Sequence, residues 1–139
     1  MKPTHIILVD DDPLSNNLCK LYIRHALPEM EVVDFTLPER GFNYLETIFK
    51  KQDTSVAILL LDINMPQMSG WDFLEKFNAL DQKIKDRITI YILSSSVDLR
   101  DINKAAHNKY VKGYLEKPLE IETIKKIYRA NFDAITVSC

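Results

Sequence analysis

The 139-residue chain predicts one α/β domain, a parallel sheet covered on both faces by helices. Short apolar runs alternate with amphipathic stretches from end to end, and the central runs are continuously apolar, as strands buried on both faces must be. The length suits one core that removes roughly two thirds of the unfolded surface from water. Five β/α units can be counted.

The first strand is expected over residues 4–10, where Ile6-Ile7-Leu8-Val9 runs into Asp10-Asp11-Asp12. Asp12 suits a helix cap and Pro13 a first turn, where a missing N–H costs nothing. The helix that follows carries Leu14, Leu18, Leu21 and Tyr22 as its apolar stripe. A second strand over residues 30–35 precedes a helix opened by Pro38, with Phe42, Leu45, Ile48 and Phe49 as its stripe. The third strand, residues 55–62, contains Ala57-Ile58-Leu59-Leu60-Leu61, the most continuous apolar run, and belongs at the sheet centre. Gly70-Trp71-Asp72 opens the next helix, residues 88–94 and 111–116 give the last two strands, and Ile121, Ile124, Ile127 and Tyr128 give the final stripe. Residues 1–130 form the domain; residues 131–139 read as a short C-terminal tail without an output domain.

Apolar residues at 46% and charged residues at 27% match ordinary globular usage and exclude disorder. A net charge of −2, with Lys and Arg scattered, provides no basic footprint for direct nucleic-acid binding. The first apolar run is too brief for a signal peptide or a spanning helix, so a cytoplasmic location without membrane insertion is expected. Cys19 and Cys139 are far apart and suggest free thiols rather than a disulfide framework or zinc motif.

The reactive side chains share one placement. Asp10 and Asp11, Asp62, Ser94 and Lys117 each stand at or just beyond the C-terminal end of a strand, on four separate strands. In open parallel sheets ligands bind outside those ends, where strand order reverses. If the order is 2-1-3-4-5, strands one and three are neighbours, and Asp10, Asp11 and Asp62 come together. At ~4 Å and an effective dielectric of about 20, each like-charged pair costs on the order of 4 kcal/mol, so the cluster calls for a cation. Oxygen-only ligands with room for water and phosphate suit Mg²⁺, with Mn²⁺ as a substitute. A carboxylate beside that cation can attack phosphorus, which makes Asp62 the phosphoacceptor; Ser94 and Lys117 provide a hydroxyl and an ammonium for the phosphoryl oxygens. Side-chain alternation after Ile90 and Ile92 favours Ser94 over Ser95 as the inward hydroxyl.

Four segments, Val9-Asp10-Asp11-Asp12-Pro13, Asp62-Ile63-Asn64-Met65-Pro66-Gln67-Met68-Ser69-Gly70, Leu93-Ser94-Ser95 and Gly113-Tyr114-Leu115-Glu116-Lys117-Pro118, occur in this order. Together they resemble the bacterial response-regulator receiver domain, in its stand-alone, chemotaxis-response-regulator-like form, over residues 4 to about 130. The resemblance implies a flavodoxin-like, doubly wound five-stranded sheet, a cis Lys117–Pro118 bond, and Mg²⁺ held by Asp10, Asp11, Asp62 and the Asn64 backbone carbonyl. It also implies that Asp62 takes phosphate from a sensor histidine kinase or a histidine phosphotransfer protein. Ser94 and Tyr114 would change position together to signal to a downstream protein. The domain would assist its own phosphorylation and dephosphorylation without being a true enzyme. The sequence departs from the family at His107-Asn108-Lys109-Tyr110, which replaces a glycine-containing turn next to the usual output face.

Two other functions fit parts of the pattern. Asp10-Asp11-Asp12 also reads as the D-x-D of a haloacid-dehalogenase-like phosphatase, but that leaves Asp62 without a task and lacks a later acidic pair. A phosphorylation-independent binding module would keep the fold but has no need of the full acidic, hydroxyl and lysine set. His5, His25 and His107 lack metal-ligand spacing and are expected to pack or face solvent.

Overall fold

The computed structural model of the chain describes residues 3–51 and 55–137, the side chains of residues 48 and 132–137 excepted. Five parallel strands, His5–Val9 (β1), Glu31–Phe35 (β2), Ala57–Asp62 (β3), Ile88–Ser94 (β4) and Val111–Glu116 (β5), form one sheet in the order β2-β1-β3-β4-β5. The expected fold class and strand order are thus observed. β3 lies at the centre, paired with β1 from Ala57 opposite His5 and with β4 from Ala57 opposite Ile88. Its six residues are all buried, as their uninterrupted apolarity requires.

The helices are Pro13–Ala26 (α1), Pro38–Tyr44 (α2), Gly70–Asn78 (α3), Gln82–Lys85 (α4), Leu99–Ala106 (α5) and Ile121–Val137 (α6), with a π-helical turn at Leu45–Phe49 after α2. The short α4 was not anticipated. α6 continues through residues expected to form the tail; positions 138 and 139, Cys139 among them, lie outside the described residues. Successive strand residues feed two cores. Ile7, Val9, Leu59, Leu61, Ile90 and Ile92 pack with Phe42, Leu45, Phe73 and Phe77 on one face. On the other face Ile6, Leu8, Ile58, Leu60 and Leu93 pack with Cys19, Ile23, Ile124 and Ile127 from α1 and α6. No helix among the described residues is long and apolar enough to cross a membrane.

The three leucines of the expected α1 stripe point the other way, while its Tyr22 is half-buried against the core. Leu14, Leu18 and Leu21 are 78%, 41% and 62% exposed, and the helix buries Asn16, Cys19 and Ile23 instead. At about 100° per residue these two sets lie on nearly opposite faces. Polar contacts fix the phase: Asp12 caps the Leu14 N–H, and the buried Asn16 side chain donates to the Asp10 carbonyl at 2.9 Å. Turning the leucines inward would orphan that carbonyl. The stripe of α2 is only partly testable, because the Ile48 side chain is not among those described, while Phe42, Leu45 and Phe49 are buried as expected.

Candidate functional site

The strands end together, and their C-terminal edge gathers the acidic residues. One carboxylate oxygen each from Asp10, Asp11 and Asp62 lies within 4.8 Å of the others. Asp10 and Asp62 are 4% and 6% exposed. The juxtaposition follows from register, since β1 and β3 run in parallel from His5 opposite Ala57 to Val9 opposite Leu61. Asp10 is then the next residue beyond β1, and Asp62 closes β3.

Local backbone orients the carboxylates. The Asp12 N–H donates to Asp10 Oδ1 at 3.0 Å, and the Asn64 N–H donates to Asp62 Oδ1 at 3.3 Å. Gly70 brings α3 against the end of β3. A Cβ there would stand 2.6 Å from the Asp62 carbonyl oxygen and 2.9 Å from the Ile63 Cα, so only glycine allows this approach. The Gly70 N–H donates to the Ile63 carbonyl at 2.8 Å, while Ser69 and Asp72 form a reciprocal cap.

Lys117 crosses from the end of β5, as its reach predicted. Its Nζ lies 2.5 Å from Asp10 Oδ2 and 3.8 Å from Asp62 Oδ2. The ammonium is thus held by Asp10 more closely than by Asp62, a preference the sequence did not reveal. The peptide bond to Pro118 is cis. Burial pushes the Asp62 carboxyl up to about 7; the charge of Asp10 and a hydrogen bond with Asp11 act in the same direction, and Lys117 and the Asn64 N–H oppose them. With no cation present, the cluster favours a proton on Asp62.

Ser94 is fully buried at the end of β4, whereas Ser95 and Ser96 are exposed, so alternation identifies the inward hydroxyl correctly. Its Oγ accepts from the Ser96 N–H at 3.3 Å and lies 3.5 Å from Ser96 Oγ. Tyr114 donates from Oη to the Ser96 carbonyl at 2.9 Å. Ser96 therefore touches both residues expected to move together, and sequence reasoning passed over it. Asn16 was missed as well. Its signal was available: a polar residue at helical spacing from Cys19 and Ile23, on the face that enters the core.

The donors are all hard oxygens, as Mg²⁺ requires, and their 4.8 Å span compares with about 4.2 Å across an octahedral Mg²⁺ with bonds near 2.1 Å. The residues fit that ion. They lack the nitrogen and sulfur donors that would favour zinc. Cys19, on the inner face of α1, is buried, and burial raises its thiol to about 12, so it stays protonated and unreactive.

The family profile of the response regulator receiver domain matches residues 6–129. The nitrate/nitrite response regulator protein NarL of Escherichia coli is 29% identical over 126 residues, covering 90% of this chain and 53% of its own length. The chain thus spans about half the length of that relative. The two-component response regulator ARR6 of Arabidopsis thaliana is 23% identical over 128 residues, of which the match covers 67%. Among solved structures, a two-component response regulator from Cytophaga hutchinsonii superposes with a TM-score of 0.86 at 29% identity, covering 96% of this chain and 99% of that one. A response regulator receiver protein from Dyadobacter fermentans gives 0.83 at 26% identity, covering 92% and 97%. Receiver domains bind Mg²⁺ at an acidic pocket, in keeping with the three clustered aspartates. The chain belongs to the response regulator receiver domain family, whose general function is a phosphorylation-dependent signalling switch.

Proposed function

We propose that Asp62 is the residue this switch phosphorylates, that Asp10, Asp11, Asp62 and the Asn64 carbonyl hold Mg²⁺, and that the phosphoryl group comes from a histidine kinase or histidine phosphotransfer protein. The observation that carries this reading is the meeting of three carboxylates within 4.8 Å, with the Lys117 ammonium 3.8 Å from Asp62. The bound cation would neutralise charge between the aspartates and the incoming phosphoryl group.

The residues of the chain have defined tasks in the transfer. An Asp62 carboxylate oxygen forms a bond to phosphorus as the bond from phosphorus to the donor imidazole nitrogen breaks, the electron pair returning to that nitrogen. Lys117 turns from Asp10 toward the new phosphoryl oxygens, a short movement because it already lies between the two carboxylates. Ser94 gives up its contacts with Ser96 and donates its hydroxyl to a phosphoryl oxygen. The β4–α5 loop then shifts, and Tyr114, bound to the Ser96 carbonyl, moves with it.

Receiver domains interact with kinases or phosphotransfer proteins and with downstream targets. The exposed leucines of α1 support donor docking on that face. A groove of about 360 Å³, lined by Leu14, Leu18, Tyr22, Lys117 and Pro118, runs from them to the phosphoryl-binding lysine. It suits an apolar helix that presents a phosphohistidine.

Incubating the chain with acetyl phosphate and Mg²⁺ should give an adduct of one phosphate, sensitive to hydroxylamine and seen by intact-mass spectrometry. Asp62→Ala should abolish it. Undiminished labelling of that variant removes Asp62 as the acceptor.

A further inference from the structure

Between α3 and the α5–β5 connection lies a groove of about 360 Å³ that phosphoryl transfer does not use. Trp71, Leu74 and Asn78 form one wall, and Lys104, Lys109 and Tyr110 the other. The second wall also includes His107 and Asn108. Tyr110 is firmly held: its ring meets Phe77 edge-on with centroids 5.2 Å apart, and its hydroxyl bonds the Asn78 side chain and accepts from Lys85 Nζ at 3.3 Å.

Three ammoniums lie over the two aromatic rings. Lys104 Nζ is 4.9 Å from the Trp71 ring centre, and Lys109 and Lys85 are 5.1 and 5.5 Å from that of Tyr110. No described carboxylate comes within 4.0 Å of any of the three. Glu75 lines the groove yet pairs with none of them. The chain carries a net charge of −2, so this positive surface is a local feature. An ammonium over a ring face still has N–H groups directed to solvent, while the ring beside it offers apolar contact.

We infer that this groove binds an acidic segment of a partner protein, its carboxylates pairing with Lys104 and Lys109 and an apolar side chain seated between Trp71 and Tyr110. The volume, near the lower end of the roughly 300–1,000 Å³ range of ligand pockets, takes one or two side chains. Nucleic acid fits less well, because binding to phosphates grows with the number of cations engaged and only three are present here. A bilayer surface cannot follow a concave groove, and polybasic membrane sites use about 4–8 Lys or Arg. Exposed ion pairs are individually weak, so the aromatic walls provide the anchor and the lysines select for acidity.

Trp71 is the only tryptophan in the chain, so its emission reads this groove alone. The full chain, unphosphorylated, is titrated with a synthetic peptide in which glutamates flank a Leu-Leu pair. The expected result is a saturable change in Trp71 emission, weakened about tenfold or more in Lys104→Glu/Lys109→Glu, where attraction becomes repulsion. The same peptide with glutamine for glutamate should bind at least about tenfold more weakly. Both lysines are exposed, and far-UV circular dichroism checks that the variant is folded; Lys104→Gln/Lys109→Gln provides a milder loss in the same direction. An unresponsive Trp71, equal affinity for the glutamine peptide, or full affinity in the charge-reversed chain overturns the inference. Tighter saturation by duplex DNA or phosphatidylglycerol vesicles than by the peptide overturns the assignment to an acidic protein.

Discussion

The two ends of the parallel sheet are made by the same five strands and treat charge in opposite ways. At the N-terminal end Arg87 donates to the carbonyls of Phe49, Ser55 and Lys83 and lies 4.5 Å above the Phe49 ring. His5 stands 2.8 Å from Glu31, and Thr4 Oγ1 donates to the Val56 carbonyl. Arg87 and Thr4 there have partners supplied by the fold. At the C-terminal end three carboxylates face one ammonium, and burial raises Asp62 to about 7. The N-terminal end is paired internally, and the C-terminal end keeps an excess of negative charge that a cation can balance.

Substitutions should separate the two ends by sign. The largest effect is expected from Arg87→Ala, which removes three hydrogen bonds to carbonyls and a stacked guanidinium. Urea unfolding should show a loss of about 2–4 kcal/mol. A loss no greater than that of the exposed control Lys126→Ala would contradict the role of Arg87 as a clamp. Asp62→Asn should do the reverse. In metal-free buffer at neutral pH it should raise stability by roughly 1–3 kcal/mol, because an amide replaces a buried, crowded charge. Loss of stability in that variant would mean that Lys117 already neutralises the cluster.

The pH dependence sharpens the same contrast. The Asp62 carboxyl titrates near its ordinary 3.8 in the unfolded chain and at about 7 in the folded one, so the folded state holds more protons between those values. Metal-free stability should therefore fall as pH rises from about 4 to about 7, then level off. The fall should be absent from the Asp62→Asn profile and reduced by Mg²⁺ in the wild-type chain. Matching profiles for the two proteins would remove Asp62 as the source. The smallest effect is expected from Asn16→Ala, which leaves the Asp10 carbonyl without its side-chain donor. About 1 kcal/mol of stability should be lost, together with a slower acetyl phosphate reaction at limiting Mg²⁺. An unchanged rate would restrict Asn16 to packing.

By itself the sequence determined the layered α/β architecture, the central position of β3 and the residues brought to its C-terminal edge. Those features rest on local signals: uninterrupted apolar runs, proline and aspartate at helix starts, and acidic, hydroxyl and lysine residues one after another at strand ends. The family motifs added the strand order and the cis bond preceding Pro118. Tertiary structure decided the rest. Leucine spacing suggested one face of α1, yet the helix turned the other inward, because Asn16 must satisfy the buried Asp10 carbonyl. Lys117 could be assigned to the site but not to Asp10 over Asp62, and Ser96 had no motif to mark it. At residues 107–110 the fold anchors Tyr110 on Phe77 and Asn78, contacts between segments distant in sequence. Periodicity records how apolar a face is, whereas helix phase and ion-pair choice depend on which polar groups from distant segments arrive in the same buried space.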